Sequence, residues 1–417
     1  MKKITKTILL LLCSFTAFSQ CWKSVSAGGY GYVVAIKTDG SLWGWGFNGT
    51  GALGDGTYVS KNAPTQIGTA NNWLSISAGE AHSVAIKTDG SLWTWGENYW
   101  GELGDGTNID KNVPVQIGTA NDWQSISAGE HHVAAIKTNG TLWTWGKNSS
   151  GQLGDGSNND ENVPTQIGTA VNWKSVSAGS EITLAIKTDG SLWAWGNNAE
   201  GELGDGTFTD KNVPTQIGTA NNWRDISVGS GMCLAIKTDG NLWAWGLNFD
   251  GRLGDGTLVD KNVPVQIGTA NNWLSISAGK SNDPKAIKTD GSLWSWGDNT
   301  YGQLGDGSNN NKITPIALAC PVTSLGVNSF IYKEKAVSVF PNPSSSNVTV
   351  NYSLPAQSAA IIDLYNVMGE KVKSICNKMQ PAGTYNLQID VSDLSAGIYF
   401  IKGNFGDAMF NEKLIIQ

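Results

Sequence analysis

The sequence predicts an all-β protein: a β-propeller of six repeats, with six blades expected and a seven-fold ring as the alternative, followed by a small β-sandwich. Three observations carry this. A unit of about 50 residues that opens W-x-S-[IV]-S-A-G, runs through A-I-K-T-D-G-S-L-W-x-W-G and closes on L-G-D-G-[ST] and P-x-Q-I-G-T-A-N recurs six times, with small departures, between residue 22 and about residue 321. Its opening tryptophans, Trp22, Trp73, Trp123, Trp173, Trp223 and Trp273, are spaced by 50 or 51, a period that belongs to radial or solenoidal repeats. Beyond the repeats, alternating apolar residues at 348–352 read as a strand of a separate sandwich.

Each unit holds four short strands, which in the second copy fall at 75–78, 84–87, 92–95 and around 114–117. Between the second and third strands stands Asp-Gly in five copies and Asn139-Gly140 in the other, pairs that suit the positive φ of a two-residue hairpin. In the third strand the two tryptophans of L-W-x-W share one face, because side chains alternate with period two. The residue between them is always small: Gly44, Thr94, Thr144, Ala194, Ala244 and Ser295. Sheets with large residues on one face and small ones on the other stack face to back, as blades do around an axis. The small Ser-x-Ser-Ala-Gly of the first strand suits the crowded hub, and the proline of the fourth strand suits an outer edge. A single blade cannot bury its faces alone, so the array is the folding unit.

Of the 19 tryptophans, eighteen are repeat positions, three per copy, and only Trp100 stands outside the pattern. Burying an indole removes roughly 200 Å² from water, worth up to about 5 kcal/mol before entropy is counted, so the eighteen are expected in the core.

Residues 1–19 read as a signal peptide, with Lys2, Lys3 and Lys6 before an apolar run from Ile8 to Phe18 that is too short to span a bilayer. The propeller is expected over 20–321, a linker over 322–336 and the terminal domain over 337–417. Four cysteines remain after cleavage: Cys21, Cys233, Cys320 and Cys376. None forms a Cys-x-x-Cys pair and no histidines cluster at ligand spacing, so no metal and no cofactor is expected. In a ring of six closed on itself, Cys21 and Cys320 would stand about three residue positions apart, and a Cys21–Cys320 disulfide is expected to latch it. Cys233 and Cys376 are expected to be unpaired. The net charge of −7 and the absence of a basic stretch exclude nucleic acid as a partner.

The string A-G-x-x-H-S-x-A-I-K-T-D-G-S-L-W-x-W-G-x-N-x-x-G-x-L-G-D-G, as at 78–106, resembles the repeat of the regulator of chromosome condensation family of β-propellers. The resemblance implies four-stranded blades in a ring, often seven in that family. Guanine-nucleotide exchange, known for one branch, does not follow for an exported acidic chain, and no small GTPase is expected as a partner. In the tail, F-P-N-P at 340–343, I-I-D-L-Y-N-V-M-G at 361–369, L-S-A-G-I-Y-F-I-K at 394–402 and K-L-I-I at 413–416 resemble the type A C-terminal sorting domain of type IX (Por) secretion. That resemblance implies a chain that engages the type IX secretion machinery and is secreted or held at the outer-membrane surface.

Comparing the six copies with one another locates the variation. Loops after strands one and three leave the same end of an up-and-down blade, and these differ from copy to copy, whereas K-T-D-G-S and G-T-A-N-N-W at the other end are nearly constant. Every Tyr, Phe and His of the propeller lies in the variable segments. After strand one come Tyr30, Tyr32, His82, His131 and His132. After strand three come Phe47, Tyr58, Tyr99, Trp100, Phe208, Phe249 and Tyr301. Aromatics on rigid strands give contact area at low entropic cost and stack on sugars. The candidate ligand-binding residues are therefore Tyr30, Tyr32, Phe47, Tyr58, Tyr99, Trp100, His131, Phe208, Phe249 and Tyr301, with Tyr99-Trp100 foremost. His82 and His132 read as structural, and the G-D-G aspartates as turn formers. No catalytic constellation is present, so an extracellular protein or glycan is the expected partner. A structural or adhesive surface role without a defined ligand site is the alternative.

Overall fold

The computed structural model describes residues 21–279, 283–318, 337–354, 356–367, 369–405 and 408–417. The stretch 1–19 expected as a signal peptide, the expected linker at 322–336 and Cys320 lie outside the described residues. The chain divides into two compact units, Met1–Cys320 and Pro321–Gln417.

The first unit holds six four-stranded antiparallel sheets, each in simple sequence order. Blade 1 runs Trp22–Ala27, Tyr32–Lys37, Leu42–Gly46 and Lys61–Gln66, and blade 2 repeats it as Trp73–Ala78, His82–Lys87, Leu92–Gly96 and Lys111–Gln116. Blade 6 ends the series with Trp273–Ser277, Lys285–Lys288, Leu293–Gly297 and Lys312–Ala317. First strands meet at the hub, where the second serine of each accepts a hydrogen bond from the next blade: Ala78 N donates to Ser26 Oγ and Ala128 N to Ser77 Oγ, both at 2.9 Å. Small residues are needed there because neighbouring backbones approach within hydrogen-bonding distance of a serine hydroxyl.

The hairpin between strands two and three is longer than the sequence reading had it. Gly40 N donates to Lys37 O and Lys37 N to Ser41 O, so the loop is the three residues 38–40, with Gly40 at φ 81° supplying the left-handed bulge position. Asp39 Oδ1 then accepts from both Ser41 N and Ser41 Oγ, and Ser41 Oγ accepts from Trp43 Nε1. The constant D-G-S-L-W is thus one hydrogen-bonded unit that aims the first indole.

Each blade packs three tryptophans edge to face: Trp73 lies 5.9 Å from Trp93 and 6.0 Å from Trp95. The second indole of the third strand is fully buried in blades 2 to 6 and reaches back to the preceding blade, Trp95 Nε1 donating to Ala52 O and Trp145 Nε1 to Glu102 O at 2.8 Å. The lysine of A-I-K-T-D-G lies over the indoles, with Lys87 Nζ 3.7 Å from the Trp93 ring centre. Burial against those rings, countered by Asp89, lowers its pKa. The G-D-G aspartates are structural: Asp55 accepts from Thr57 N and Asn48 Nδ2 and pairs with Lys61 at 2.9 Å.

Five hydrophobic clusters bridge successive blades from the first to the sixth. The two end faces stay open. Trp22 is 37 % exposed where Trp73 is 3 %, and Leu293 is 40 % exposed where Leu92 is fully buried. Six four-stranded blades are present, as expected, and among the described residues the first and sixth are more exposed than their counterparts in the middle blades. The expected Cys21–Cys320 bond involves a residue outside the described ones. Cys21 is exposed and free, and Cys233 and Cys376 are free and buried, Cys233 fully so.

The second unit pairs a three-stranded sheet (Val337–Phe340, Asn347–Leu354, Gly383–Asp390) with a four-stranded sheet (Lys371–Gln380, Ser358–Asn366, Gly397–Phe405, Ala408–Ile416). Val348, Val350, Tyr352, Ile362, Leu364, Ile401 and Leu414 share its core. Two of the tail motifs meet: Asn342 of F-P-N-P donates through Nδ2 to Lys413 O and accepts from Ile415 N. Among the described residues no helix is long and apolar enough to cross a membrane.

Candidate functional site

The loops after the first strands form a chain of backbone bonds around the hub: Tyr30 N donates to Glu80 O, Glu80 N to Glu130 O, and Glu130 N to Gly179 O. Below them the first strands line a cavity of about 580 Å³ walled by Ser26, Ser77, Ser127, Ser177, Ser227 and Ser277, with Glu80, Glu130 and Asp283 at its border. Loops after the third strands stand outside this inner circle, on the same end of the blades.

Most of the sequence-selected aromatics are exposed here: Tyr30, Phe47, Tyr58, Tyr99, Phe208, Phe249 and Tyr301. Tyr30 and Phe47 pair edge to face at 6.0 Å, and Phe249 covers the Arg252 guanidinium at 4.5 Å. Trp100 is half-buried, 4.7 Å from Tyr99 and 6.5 Å from His131, with Lys147 Nζ 5.5 Å from its ring. Tyr32 is a correction. It has no exposure, and its hydroxyl donates to His82 O. It begins the second strand of blade 1, where blades 2 to 5 place His82, His132, Ile182 and Met232, all buried. Hydrophobic neighbours from the next blade fill this position, so it belongs to the core. His132 is structural in the same way, its Nε2 2.9 Å from Thr183 Oγ1. Burial, with His131 and Lys147 nearby, pushes its pKa down to about 3.

His131, by contrast, faces the rim in a nest of carboxylates that selecting for aromatic residues had missed. Its Nε2 lies 3.0 Å from Glu80 Oε2 and 4.0 Å from Glu130 Oε1, and its Nδ1 lies 3.6 Å from Glu102 Oε1. Burial lowers the imidazole pKa, but Glu102, Glu80 and Glu130 outweigh it and the net shift is upward. Burial and the Glu130 charge raise the Glu80 pKa, and burial and Glu102 raise that of Glu97. On the far side of Trp100, Lys147 pairs with Glu181 at 2.6 Å. That contact and Ser150 outweigh burial and bring the Glu181 pKa down.

One variable position explains why Glu102 is present and buried. The x of G-x-L-G-D-G is Ala52, Glu102, Gln152, Glu202, Arg252 or Gln303, and the side chain caps its own turn: Glu102 Oε2 accepts from Trp100 N, Gln152 Oε1 from Ser150 N, and Glu202 Oε2 from Glu200 N. The signal was a polar residue held at one fixed, otherwise apolar-flanked position in five of six copies.

Comparison with known proteins agrees with this architecture. The RCC1-like domain profile matches residues 12–282, and the regulator of chromosome condensation (RCC1) repeat matches 290–338. The secretion system C-terminal sorting domain matches 338–417. Among solved structures, human WBSCR16 superposes with a TM-score of 0.66 at 24% identity, covering 72% of this chain and 83% of its own. Yeast RCC1 (Prp20), solved with Kap60 bound, does so at 0.64 and 20% identity, covering 72% and 75%. No curated protein sequence matches the chain. At these identities the structural likeness speaks for the fold. The repeat, the blades and the profile over 12–282 together make this chain a member of the regulator of chromosome condensation (RCC1-like) β-propeller family, carrying a secretion-system C-terminal sorting domain.

Proposed function

We propose that the chain is an exported binding propeller that recognises an extracellular protein or glycan through the variable rim, without catalytic chemistry of its own. The sorting domain supports passage by the type IX machinery to the outside or the cell surface. The observation that carries the reading is the Tyr99–Trp100 pair: two rings held edge to face at 4.7 Å at the one place where a blade adds a tryptophan to the repeat. Rigid paired rings beside carboxylates offer a stacking face and hydrogen-bond acceptors to a sugar or a peptide. The signal peptide over 1–19 belongs to the same reading.

The test is a glycan array and a surface pull-down with the secreted chain, followed by Tyr99→Ala/Trp100→Ala. Loss of about 2 kcal/mol, roughly thirtyfold in affinity, is expected for anchor residues of this kind. Unchanged affinity for the captured ligand sinks the proposal. Near-identity of the six blades favours one other reading, a surface repeat protein valued for its stability. Retained adhesion after exchanging loops between blades would select that reading.

A further inference from the structure

Glu97 and Glu102 follow the third strand of blade 2, and His131 follows the first strand of blade 3. One donor atom from each lies within 4.8 Å of the others. Glu97 Oε2, Glu102 Oε1 and His131 Nδ1 are each buried and have no hydrogen-bond partner among the described residues. Glu102 is itself fully buried. Its Oε2 is engaged by Trp100 N at 2.9 Å, so Oε1 is held pointing toward the imidazole, 3.6 Å from Nδ1. A buried carboxylate oxygen whose nearest charged neighbour is an imidazole nitrogen beyond hydrogen-bonding distance is costly unless a cation meets it.

The other face of the ring completes the pattern. Glu80 Oε2 is 3.0 Å from His131 Nε2. A carboxylate on that nitrogen holds its proton and leaves Nδ1 with a free lone pair, the orientation found where histidine binds a metal. Ligands about 2.1 Å from a tetrahedral ion stand roughly 3.4 Å apart, close to the Nδ1–Oε1 separation, and Glu97 is the half-exposed arm that can close the set.

We infer that Glu97, Glu102 and His131 form a binding site for a divalent first-row transition ion at the junction of blades 2 and 3, beside Trp100. The site is not the one sequence motifs report, because its ligands come from two loops of two different blades. One imidazole with two carboxylates suits Zn²⁺ or Mn²⁺ better than Ca²⁺, which takes oxygen donors alone. Three protein ligands leave a coordination position open toward the rim, as in sites that bind a further ligand rather than purely structural ones. The inference stands whether or not the rim recognises a glycan or protein.

The experiment is calorimetric titration of the EDTA-treated secreted chain with ZnCl₂, joined to zinc X-ray absorption spectroscopy. One ion per chain is expected, in a shell of nitrogen and oxygen with no sulfur. Glu102→Gln and His131→Asn should each weaken binding by about tenfold or more, and so should the milder Glu97→Gln, which leaves the buried position intact. Glu130→Gln should leave the affinity within about threefold. Absence of stoichiometric binding overturns the site, as does a thiolate shell or an affinity indifferent to Glu97→Gln and His131→Asn. Dependence on Glu130 but not Glu97 overturns the ligand assignment, because it would place the ion on Nε2.

Discussion

His132 gives the propeller a built-in response to acid. The imidazole has no exposure, its Nε2 is 2.9 Å from Thr183 Oγ1, and burial brings its pKa down from 6.5 to about 3. The unfolded chain therefore takes up a proton that the folded chain refuses. Stability contributed by neutral His132 is complete above about pH 6.5 and is lost as the pH falls toward 3. Between pH 7.5 and 4.5 the linkage relation gives a loss of about 3 kcal/mol from this residue. Blade 5 supplies the control, since Met232 occupies the same strand position, equally buried. In His132→Met the Thr183 hydroxyl keeps its bond to Gln152 O at 2.8 Å, so at pH 7.5 the variant should lie within about 1 kcal/mol of the parent. At pH 4.5 it should be the more stable by about 2 to 3 kcal/mol. Equilibrium urea unfolding at the two pH values measures the difference, and carboxylates that titrate in both proteins cancel from it. Parallel losses in parent and variant would show that burial does not hold His132 neutral and would refute the reasoning.

The open junction makes two comparisons between copies informative. Trp123→Ala, at a fully packed position, should cost about 3 to 5 kcal/mol, whereas Trp22→Ala, at the same repeat position but 37 % exposed, should cost about half as much in urea unfolding. Gly90 and Gly291 share a φ near +80°. A β-carbon on Gly90 would stand 2.1 Å from Asn121 O, while one on Gly291 meets nothing within 4 Å. Gly291→Ala should therefore cost about 1 kcal/mol for the left-handed backbone alone. Gly90→Ala should cost several times that, read as a drop in Tm, because a backbone carbonyl must also move.

Much of this molecule was legible because it is written six times. A glycine or tryptophan that returns at fixed spacing declares a backbone or packing need, and the hub serines, the D-G-S-L-W hairpin and the G-D-G aspartates were all placed in their structural roles by repetition. Where the reading of Tyr32 went astray, the cause was an interaction between copies. Tyr32 looked like a rim aromatic, yet its ring fills the space that His82, Ile182 and Met232 fill in other blades. The lysines of A-I-K-T-D-G lie in a cradle that the opening indole and the first indole of the third strand form within the same blade.

What the sequence by itself determined is most of what is local to one unit: four strands, where they turn though not the length of each turn, the face each indole takes, and the end of the blade on which variation collects. These follow from the period-two geometry of strands and from positive-φ glycines, which act over a few residues. What only the tertiary structure decided lies between units. It left Trp22 of the first blade and Leu293 of the sixth more exposed than their counterparts in the middle blades. It also brought Glu97 and Glu102 of one blade to His131 of the next. Neither outcome is a property of any single copy, because the distance between blades is set by how eighteen tryptophans and their small partners stack, and no residue spacing within the repeat records it.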